Sequence, residues 1–426
     1  MKEITLEFDK IVGEGKTLGR CGGKVVFAYG VLPGEKARII VTKEKRNFIE
    51  GEVVEIISTS TKRVPAREDH YISCSPWQIM DYSFQVENKK KLTEDLYYQT
   101  VKDNIKVEKI FPAEKIFGYR TKIEYSFTQI GEELSFAFHK RGAYWEKLKL
   151  PSGCALIGDK VNSVAIEILS ELNRRKVKQE QLKTLVLRQA KNGNEIIGCL
   201  FCKDENLDFS AAGIKSLKGF TLAWSNPVSS VSSVDRVLRS EGEDFLTEKI
   251  GQMEFDYGFD CFFQNNIELF TAALNEIKGY GSSFGKTLDL YCGTGIIGFY
   301  LKDKIDSLIS VETSASSAKY ALRNLEKNSI NSARVICSMS EKAEKEIFSE
   351  IETVILDPPR AGLHKNVVKN IMDNLPQRII YLSCNPITQG RDALFFLEKY
   401  RITKSQCFDF YPNTPHLESL LIFERK

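Results

Sequence analysis

The sequence predicts an α/β protein of more than one domain, with a parallel, doubly wound sheet in its carboxyl-terminal part. Three observations lead to this prediction. The chain has 426 residues, enough for two or three domains. From about residue 262 onwards, apolar strand-like runs alternate with helical patterns. Before that point, short strands with glycine turns predict a small β-barrel, and a mixed pattern predicts a central α+β region.

The composition is that of an ordinary globular protein, 42% hydrophobic and 27% charged. A net charge of +3 does not by itself indicate nucleic-acid binding, so such a surface would have to be a local patch. No apolar run reaches the ~18 residues that span a bilayer, and the amino terminus lacks a signal-peptide core. We therefore expect a cytoplasmic protein without a membrane partner. Ten scattered cysteines favour reduced thiols, a metal site or a nucleophile over disulfides.

Residues 1–60 are predicted to form the barrel, because "ITLEFDKIV" and "FIEGEVVEII" alternate apolar and polar residues. Basic residues are interleaved with the apolar ones. They indicate either a solvated strand face or an oligonucleotide-binding surface, and spacing alone does not separate the two. These residues are Lys24, Lys36, Arg38, Lys43, Lys45 and Arg46.

Residues 61–250 are predicted to form the central domain. A junction, "STSTKRVPAREDHYISCSPWQIMDYSFQ", leads into a helix over 87–104. "YRTKIEYSFTQI" and "ELSFAFHKRG" predict a hairpin, and "KVNSVAIEILSELNRRK" predicts a helix. "TLVLRQA" and "EIIGCLFCK" predict further strands. The pattern is typical of an antiparallel α+β module.

Residues 251–426 are predicted to form the doubly wound domain. "IELFTAALNEIK" and "SASSAKYALRNLEKNS" have helical spacing, and "TLDLYCGTGIIGFYLK" reads as strand, glycine turn and helix. Further strands are predicted at "SLISVETS", "ARVICS", "VILDPP", "IIYLSCNP" and "SLLIFERK". Ligands of such sheets bind at the carboxyl ends of the strands, so residues at those ends are the candidates for a site.

The glycine turn predicts a nucleotide-like cofactor. Gly293, Gly295 and Gly298 allow a tight turn and a close backbone approach to a ligand. Asp289 ends the first strand, and Glu312 ends the next one, where an acid can bind ribose hydroxyls. A Lys-Ser/Thr pair does not follow the glycines, which excludes a P-loop. A dinucleotide would fit the glycines, but S-adenosylmethionine, with a ribose and no phosphates, fits better. A surface acid is the simpler alternative for Glu312.

A thiol and a stiff loop are predicted at the same sheet edge. "VILDPPRAGL" places Asp357 and Arg360 after an apolar strand, where two prolines restrict the loop. Cys384 ends the next strand. A cysteine there is often only a packed core residue. Beside a methyl donor, however, its thiolate could add to C6 of uracil and so make C5 nucleophilic. A base must then remove the C5 proton.

The carboxyl-terminal stretch "DFYPNTPHLESLLIFE" supplies two candidates for that base, His416 and Glu418. In "CFFQNNIELF", Gln264 and either Asn265 or Asn266 precede a helix. They could contact the cofactor, or an asparagine could simply cap the helix.

Together, "FFQNN", "DLYCGTGIIG", "VILDPPRAGL", "YLSCNP" and "PNTPHLE" resemble the RNA 5-methyluridine methyltransferases in order and approximate spacing. These enzymes act on tRNA or large-subunit ribosomal RNA. The resemblance covers nearly the whole chain and implies a Rossmann-like methyltransferase domain that uses S-adenosylmethionine. "GEGKTLGRCGGKVVFAYGVLPGEKARI" resembles the TRAM domain, which favours RNA binding by the barrel.

The resemblance also implies roles for individual residues. Cys384 would be the nucleophile and Glu418 the base, with His416 beside it. The S-adenosylmethionine contacts would be Gln264, Asp289, Gly293, Gly295, Glu312 and Asp357. The residues expected to hold RNA are Arg120, Lys122, His139, Lys140, Arg141 and Arg360. For the hairpin residues among them, ordinary solvated charges are the alternative.

One departure from the family concerns an iron–sulfur cluster that many relatives hold on C-x5-C-x2-C plus a distant cysteine. Here the junction has only Cys74, with Glu68 and Trp77 at the other two positions, and Cys154 matches the distant ligand. Two thiols of four do not hold a cubane cluster, and His70 would bring the set only to three. We therefore predict neither a cluster nor a metal site, and we expect the two cysteines to pack together.

The predicted function is methylation of uracil C5 in RNA, with a monomer as the expected state. Two alternatives stay open: a cytosine-C5 methyltransferase using the same thiol chemistry, and an RNA-binding protein with a spent catalytic site. A carboxylate after His416 favours uracil, and the intact thiol, glycines and acid argue against a spent site.

Overall fold

The computed structural model describes residues 2–102 and 105–426. Within these ranges the chain forms a closed barrel, a seven-stranded sheet, a two-stranded ribbon and an eight-stranded sheet. The strands are β1 Glu3–Ile11, β2 Thr17–Cys21, β3 Lys24–Tyr29, β4 Lys36–Glu44, β5 Phe48–Ser58, β6 Lys109–Phe111, β7 Lys122–Ile130, β8 Glu133–Lys140, β9 Ala143–Lys149, β10 Leu182–Gln189, β11 Ile196–Cys202, β12 Leu217–Trp224, β13 Arg236–Gly242, β14 Phe245–Ile250, β15 Met253–Gly258, β16 Gly285–Leu290, β17 Ile305–Glu312, β18 Ala333–Cys337, β19 Thr353–Leu356, β20 Arg378–Ser383, β21 Tyr400–Phe408 and β22 Glu418–Arg425.

Helices cover the sheets and connect their strands. The α-helices are α1 Tyr71–Cys74, α2 Tyr82–Val101, α3 Asp159–Arg174, α4 Ile267–Tyr280, α5 Ile296–Tyr300, α6 Ala315–Lys327, α7 Lys365–Asn374 and α8 Pro386–Phe396. Short 3-10 turns lie at Gly13–Gly15, Gln179–Gln181, Lys302–Lys304, Ser340–Lys342 and Lys345–Phe348. No helix in the described ranges has both the length and the apolarity needed to cross a membrane.

The barrel has the strand order β1-β2-β3-β5-β4 and closes through β1 and β4. Alternate residues of its strands point inward, and Phe8, Val26 and Ile39 are fully buried there. Buried Glu35 accepts a hydrogen bond from the Leu32 amide. It also pairs with Arg63 of the junction at 2.7 Å, which ties the barrel to the segment that follows it. The predicted β-barrel is confirmed.

The central sheet has the order β13-β12-β11-β10-β7-β8-β9, and the predicted β7–β8 hairpin is present. The apolar face of α3 packs on this sheet through Val161, Ile168 and Leu172, all fully buried. The sheet is not antiparallel throughout, because β11 and β12 pair in parallel. Their sequences could not reveal this, since a strand buried on both faces reads alike in either direction.

The large sheet has the order β18-β17-β16-β19-β20-β22-β21-β6. Five strands, from β18 to β20, run parallel, and β22 then returns antiparallel to β20. The strand order reverses between β16 and β19, and a ligand crevice opens at such a switch point. The predicted doubly wound sheet is confirmed, whereas the sequence analysis missed β6, β21, α7 and α8.

Helix α2 begins at Tyr82, five residues before the predicted start, because the Asp81 carboxylate accepts a hydrogen bond from the Phe84 amide and caps it. The last two residues of the predicted helix, Asp103 and Asn104, lie outside the described residues. Helix α2 and strand β6 come from the segment that the sequence analysis assigned to the central domain, yet they contact α8 and β21 of the large sheet.

Candidate functional site

The glycine turn lies between β16 and α5, at the carboxyl edge of the large sheet. Gly293 and Gly295 have φ values of 57° and 87°, which glycine adopts without strain. A Cβ on Gly295 would lie 2.3 Å from a ring carbon of Phe299. The turn therefore needs glycine at residue 295 on both steric and conformational grounds, and it leaves backbone amides near the crevice.

Glu312 ends β17 and is oriented by the turn. One carboxylate oxygen accepts from the Gly293 amide at 2.9 Å, and the other accepts from the Ser314 amide at 2.7 Å. Each oxygen keeps a second lone pair, so the carboxylate can still accept from a pair of ribose hydroxyls. Its position directly after the turn along the sheet edge is the one in which a ribose-binding acid is expected.

Two further predicted cofactor residues hold buried polar atoms without a partner. Asp289 is fully buried; one of its oxygens accepts from the Gly298 amide at 3.0 Å, and Oδ1 has no partner. Gln264 is also buried, and its Oε1 has no partner. Because unsatisfied buried polar atoms are costly, these atoms fit a polar ligand. Asn266, in contrast, caps α4 by accepting from the Leu269 amide.

The Asp357–Arg360 loop leaves β19 beside the turn. Its conformation is fixed by α8, because Asn385 Nδ2 and Thr388 Oγ1 donate to the Arg360 carbonyl at 2.9 and 3.2 Å. Asn385 also caps α8, and Pro386 takes the first helical position, where its missing amide costs nothing. The Asn-Pro pair after Cys384 thus starts a helix that anchors the neighbouring loop.

Cys384 and Glu418 face each other across two strands. Ser383 of β20 pairs with Ser419 of β22 in antiparallel register, so one further step places Cys384 opposite Glu418. The Glu418 carboxylate is near enough to the thiol to raise its pKa, which supports this placement. Although they are 34 positions apart in the sequence, the thiol and the acid therefore belong to one site.

A buried hydrogen-bond network fixes that register. Gln389 of α8 donates to the carbonyls of Tyr381 and Ser419 at 2.8 and 3.2 Å. Its Oε1 accepts from the Ser419 hydroxyl and from the Tyr97 hydroxyl of α2. The ends of β20 and β22 are thus held together by a side chain that the sequence analysis did not single out.

The acidic groups of the site disfavour one another's ionisation. Burial, and then the nearby Glu418 carboxylate, raise the pKa of the Cys384 thiol to about 11, while the Arg360 guanidinium opposes this shift. Burial and Asp357 hold the pKa of Glu418 well above its ordinary value. Burial raises the pKa of Asp357 itself to about 7. Ionisation of one acidic group in the site therefore makes ionisation of the next more costly. The charge of Arg360 acts in the opposite direction and favours the ionised forms of Cys384 and Glu418.

The acid Glu418 is 2% exposed, and its Oε2 has no partner. Its other oxygen accepts from the Tyr411 hydroxyl at 3.4 Å. His416 lies two residues before Glu418, in the loop that precedes β22. Burial and then the positive charges of Arg360, Lys89, Arg141 and Arg120 lower its pKa to about 4. His416 is thus a neutral imidazole at neutral pH, and Glu418 is the carboxyl group opposite the thiol.

The loop before β22 is fixed by Lys89 of α2, which is fully buried and paired with Asp409. Lys89 Nζ also donates to the carbonyls of Tyr411 and His416, each at 2.9 Å. Lys89 was not predicted from the sequence because it lies in a run of three lysines, a pattern typical of solvated surface. Only its register with buried Gln85 and Thr93, four residues to either side, could have indicated its burial.

The residues predicted to hold RNA occupy different environments. Arg360 is exposed at the mouth of the site. Arg120 is partly buried, has a side-chain Nε without a partner, and lies close enough to lower the pKa of His416. Lys122 is partly buried on β7, where burial and then the charge of Arg188 lower its pKa.

The three basic residues of the β8–β9 turn make contacts within the protein. His139 contacts the Tyr144 carbonyl at 2.6 Å, and Lys140 pairs with Glu52 and Glu146. Arg141 donates through Nε to the Ile72 carbonyl at 2.9 Å. In the barrel, Lys24, Arg38 and Lys43 likewise pair with glutamates. Part of the predicted RNA surface is thus neutralised by the protein's own acids.

A doubly wound sheet with a glycine turn, an acid at the end of the next strand and a thiol at the same edge is the arrangement expected of an S-adenosylmethionine-dependent methyltransferase. The model of the tRNA (uracil-5-)-methyltransferase family matches residues 81–426. The chain therefore belongs to that family. The predictions of the family, the enzyme class and the methyl donor are confirmed.

The relatives match along the whole chain. An uncharacterized RNA methyltransferase of Caldanaerobacter subterraneus subsp. tengcongensis is 27% identical, over 99% of this chain and 98% of that protein. One of Bacteroides thetaiotaomicron is 26% identical, over 97% and 100%. A solved structure of a Pyrococcus abyssi tRNA (uracil-54, C5)-methyltransferase in complex with S-adenosyl-L-homocysteine is 23% identical, with a TM-score of 0.78 over 99% of this chain and all of that one. That likeness confirms the fold.

Proposed function

We propose that this enzyme methylates C5 of uracil in RNA through a covalent adduct between Cys384 and C6. The observation that carries the proposal is the β20–β22 register, which sets a thiol opposite a buried carboxyl group at the cofactor edge of the sheet. Uracil C5 is too weak a nucleophile to take a methyl group directly. A thiolate bonded to C6 turns C5 into an enolate-like carbon, and a base beside it completes the reaction.

The residues proposed to hold the methyl donor are those of the sheet edge. Glu312 would accept from the ribose hydroxyls, while the glycine turn, Asp289, Gln264 and Asp357 would surround the remainder. The unpartnered buried atoms of Asp289 and Gln264 support this assignment. When bound, S-adenosylmethionine supplies the methyl group as an electrophile.

The electrostatics of the site suggest an order of charges during the reaction. Because the Glu418 carboxylate raises the pKa of Cys384, and burial and Asp357 raise the pKa of Glu418, we place thiolate formation in the state in which Glu418 holds its proton. When sulfur bonds to C6, the thiolate charge leaves that position, which makes ionisation of Glu418 easier. After methyl transfer the Glu418 carboxylate takes the C5 proton, the C6–S bond breaks, and Cys384 leaves as a thiolate. Glu418 releases its own proton to solvent before it takes the C5 proton, so each turnover yields one proton and regenerates the thiolate and protonated Glu418.

The substrate proposed is a uridine of tRNA or ribosomal RNA. The family name and the likeness to the Pyrococcus abyssi tRNA methyltransferase favour tRNA. Arg360 and Arg120, which both lie near enough to His416 to lower its pKa, are proposed to hold phosphates. The barrel is proposed to bind RNA as well, through those basic residues that are not paired with glutamates.

Trapping with 5-fluorouridine RNA tests the proposal. Fluorine at C5 blocks the final elimination, so the wild-type chain should form an adduct that survives denaturation, and Cys384→Ala should form none while still binding S-adenosylhomocysteine. Cys407→Ala, which removes a buried thiol from another position of the large sheet, is the control and should trap RNA normally. Trapping of fluorinated cytosine instead would show that the enzyme acts on cytosine. Binding of RNA without any adduct would indicate an RNA-binding protein whose catalytic site is inactive.

Mapping of methylated uridines in tRNA and ribosomal RNA, from cells with and without the protein, then identifies the substrate. Loss of a 5-methyluridine from one RNA class names that class. An unchanged pattern in both classes would contradict the proposal.

A further inference from the structure

We propose that the junction between the barrel and the central sheet binds a single Zn²⁺ ion through Glu68, His70, Cys74 and Cys154. One donor atom from each of these residues lies within 4.8 Å of the other three. Three donors come from seven residues of the junction, and the fourth comes from the segment before α3, 80 positions further on. This inference departs from the sequence-based expectation of two packed cysteines without a metal.

The donor set suits zinc. Two thiolates, an imidazole and a carboxylate are all zinc ligands, and four protein donors make the closed tetrahedral site typical of structural zinc. Around one zinc ion the donor atoms stand about 3.3–3.8 Å apart, as bond lengths of about 2.0–2.3 Å dictate. A set already gathered within 4.8 Å needs only a small contraction to reach that geometry.

One donor is a buried nitrogen without a hydrogen-bond partner. His70 is 9% exposed, and its Nε2 lies 3.3 Å from Glu68 Oε1, within ion-pair distance, but makes no hydrogen bond. The ring is held against Phe138, edge to face, with centroids 5.6 Å apart. A buried ring nitrogen that makes no hydrogen bond but lies against a carboxylate and two thiols is the arrangement that a metal ion would satisfy.

The surrounding residues hold the donors in place, as the outer shell of a metal site does. Gln78 Nε2 donates to Glu68 Oε2 at 2.9 Å, and the Ala155 amide donates to Glu68 Oε1 at 2.5 Å. The Cys154 backbone is fixed on both sides by the Asn162 side chain, at 3.1 and 3.0 Å.

A four-iron cluster does not fit the same residues. Among the described residues near the cluster position, only Cys74 and Cys154 offer thiols to it. Trp77 stands where the third cysteine of the family pattern would be, and its ring is buried and donates to the Gly15 carbonyl at 3.2 Å. The four ligand atoms of a four-iron cluster must also lie further apart than those of a single ion, because iron and sulfide atoms lie between them. The site is therefore proposed for one ion.

The expected effect of the ion is structural. The ion would join the junction to the central sheet, since Cys154 is buried in the core of that sheet, whereas Glu68 and His70 precede α1 and Cys74 ends it. A closed four-ligand site leaves no position for water or substrate. The zinc is therefore placed outside the methyl-transfer chemistry.

The test measures metal content and metal uptake of the full chain. Purified with zinc present, the protein should contain about one zinc per chain by elemental analysis. Cys74→Ser and Cys154→Ser should lose it, whereas Cys337→Ser, which alters an exposed thiol elsewhere, should keep it. Glu68→Gln should lower zinc affinity by more than the about 10- to 100-fold typical of outer-shell changes, and Asp69→Asn, the exposed neighbouring acid, should not.

Cobalt titration of the wild-type chain gives a second readout that does not depend on whether a variant folds. Co²⁺ should produce thiolate charge-transfer bands and the intense visible bands of tetrahedral cobalt, and zinc should displace them. A chain that takes up neither ion overturns the proposal. So does iron with acid-labile sulfide, or zinc uptake that Cys74→Ser leaves unchanged.

Discussion

Replacing Glu418 with glutamine should stop the reaction after methyl transfer and leave the enzyme covalently attached to methylated RNA. The amide has the shape of the carboxyl group and can still accept from Tyr411, so binding and addition should survive. It cannot take the C5 proton. Because Glu418 is 2% exposed, water has little access to replace it.

The magnitude follows from the role of the base. A positioned general base contributes about 10²- to 10⁴-fold to a proton transfer. If addition and elimination have comparable rates in the wild type, an elimination slowed by even about 10² leaves roughly 99% of the chains as adduct at steady state. The multiple-turnover rate should fall by a similar factor.

The assay is a denaturing gel with unmodified RNA and a labelled methyl donor. Glu418→Gln should show a slowly migrating band that contains protein, RNA and label. Glu424→Gln is the matched control, because it lies on the same strand but pairs with Arg378 at the opposite end. Normal turnover of Glu418→Gln, or a loss of turnover without any covalent species, would refute the assignment of Glu418 as the base.

Three further predictions concern ionisation, packing and the glycine turn. In Glu418→Gln, where Glu418 no longer exchanges a proton with the thiol, burial still raises the pKa of Cys384, so the rate of adduct formation with 5-fluorouridine RNA should rise with pH from neutral upwards, by up to about tenfold per unit; a flat profile would contradict a thiol that must first ionise. Lys89→Met should destabilise the chain by about 3–5 kcal/mol, since it removes the partner of buried Asp409, and adding Asp409→Leu should restore part of the loss. Urea unfolding measures both variants, and a single variant no less stable than the double one would be inconsistent with the pair. Gly295→Ala should introduce about 1–3 kcal/mol of backbone strain, with a lower melting temperature and weaker S-adenosylhomocysteine binding, and unchanged values of both would count against the turn's role.

Several residues of the site could be predicted from the sequence because the patterns that indicate them are local. Gly293, Gly295 and Glu312 belong to one strand–turn–helix–strand unit, so their spacing alone predicts a cofactor edge. Cys384 could be predicted as a site residue for the same reason, because it ends an apolar run just before Asn-Pro. The structure places these residues on one edge, as the rule for doubly wound sheets requires.

Other parts of the site depend on contacts between distant segments and could not be predicted from the sequence. Lys89 and Gln389 look like ordinary polar helix residues, and their burial follows only from the docking of α2 against α8 and the loop before β22. The same holds for Glu68, which local sequence presents as one more surface acid. Its place beside His70 and two cysteines arises only when the junction folds onto the segment around Cys154.

By itself, the sequence determined the types of element, their order and the chemical groups available at each strand end, because periodicity and turn residues act within a few positions. Only the tertiary structure decided which groups meet: the pairing of β20 with β22 sets the acid opposite the thiol, and the packing of the junction gathers four metal-binding donors. The physical reason is that strand pairing and side-chain burial are properties of two surfaces in contact, and neither surface alone specifies its partner.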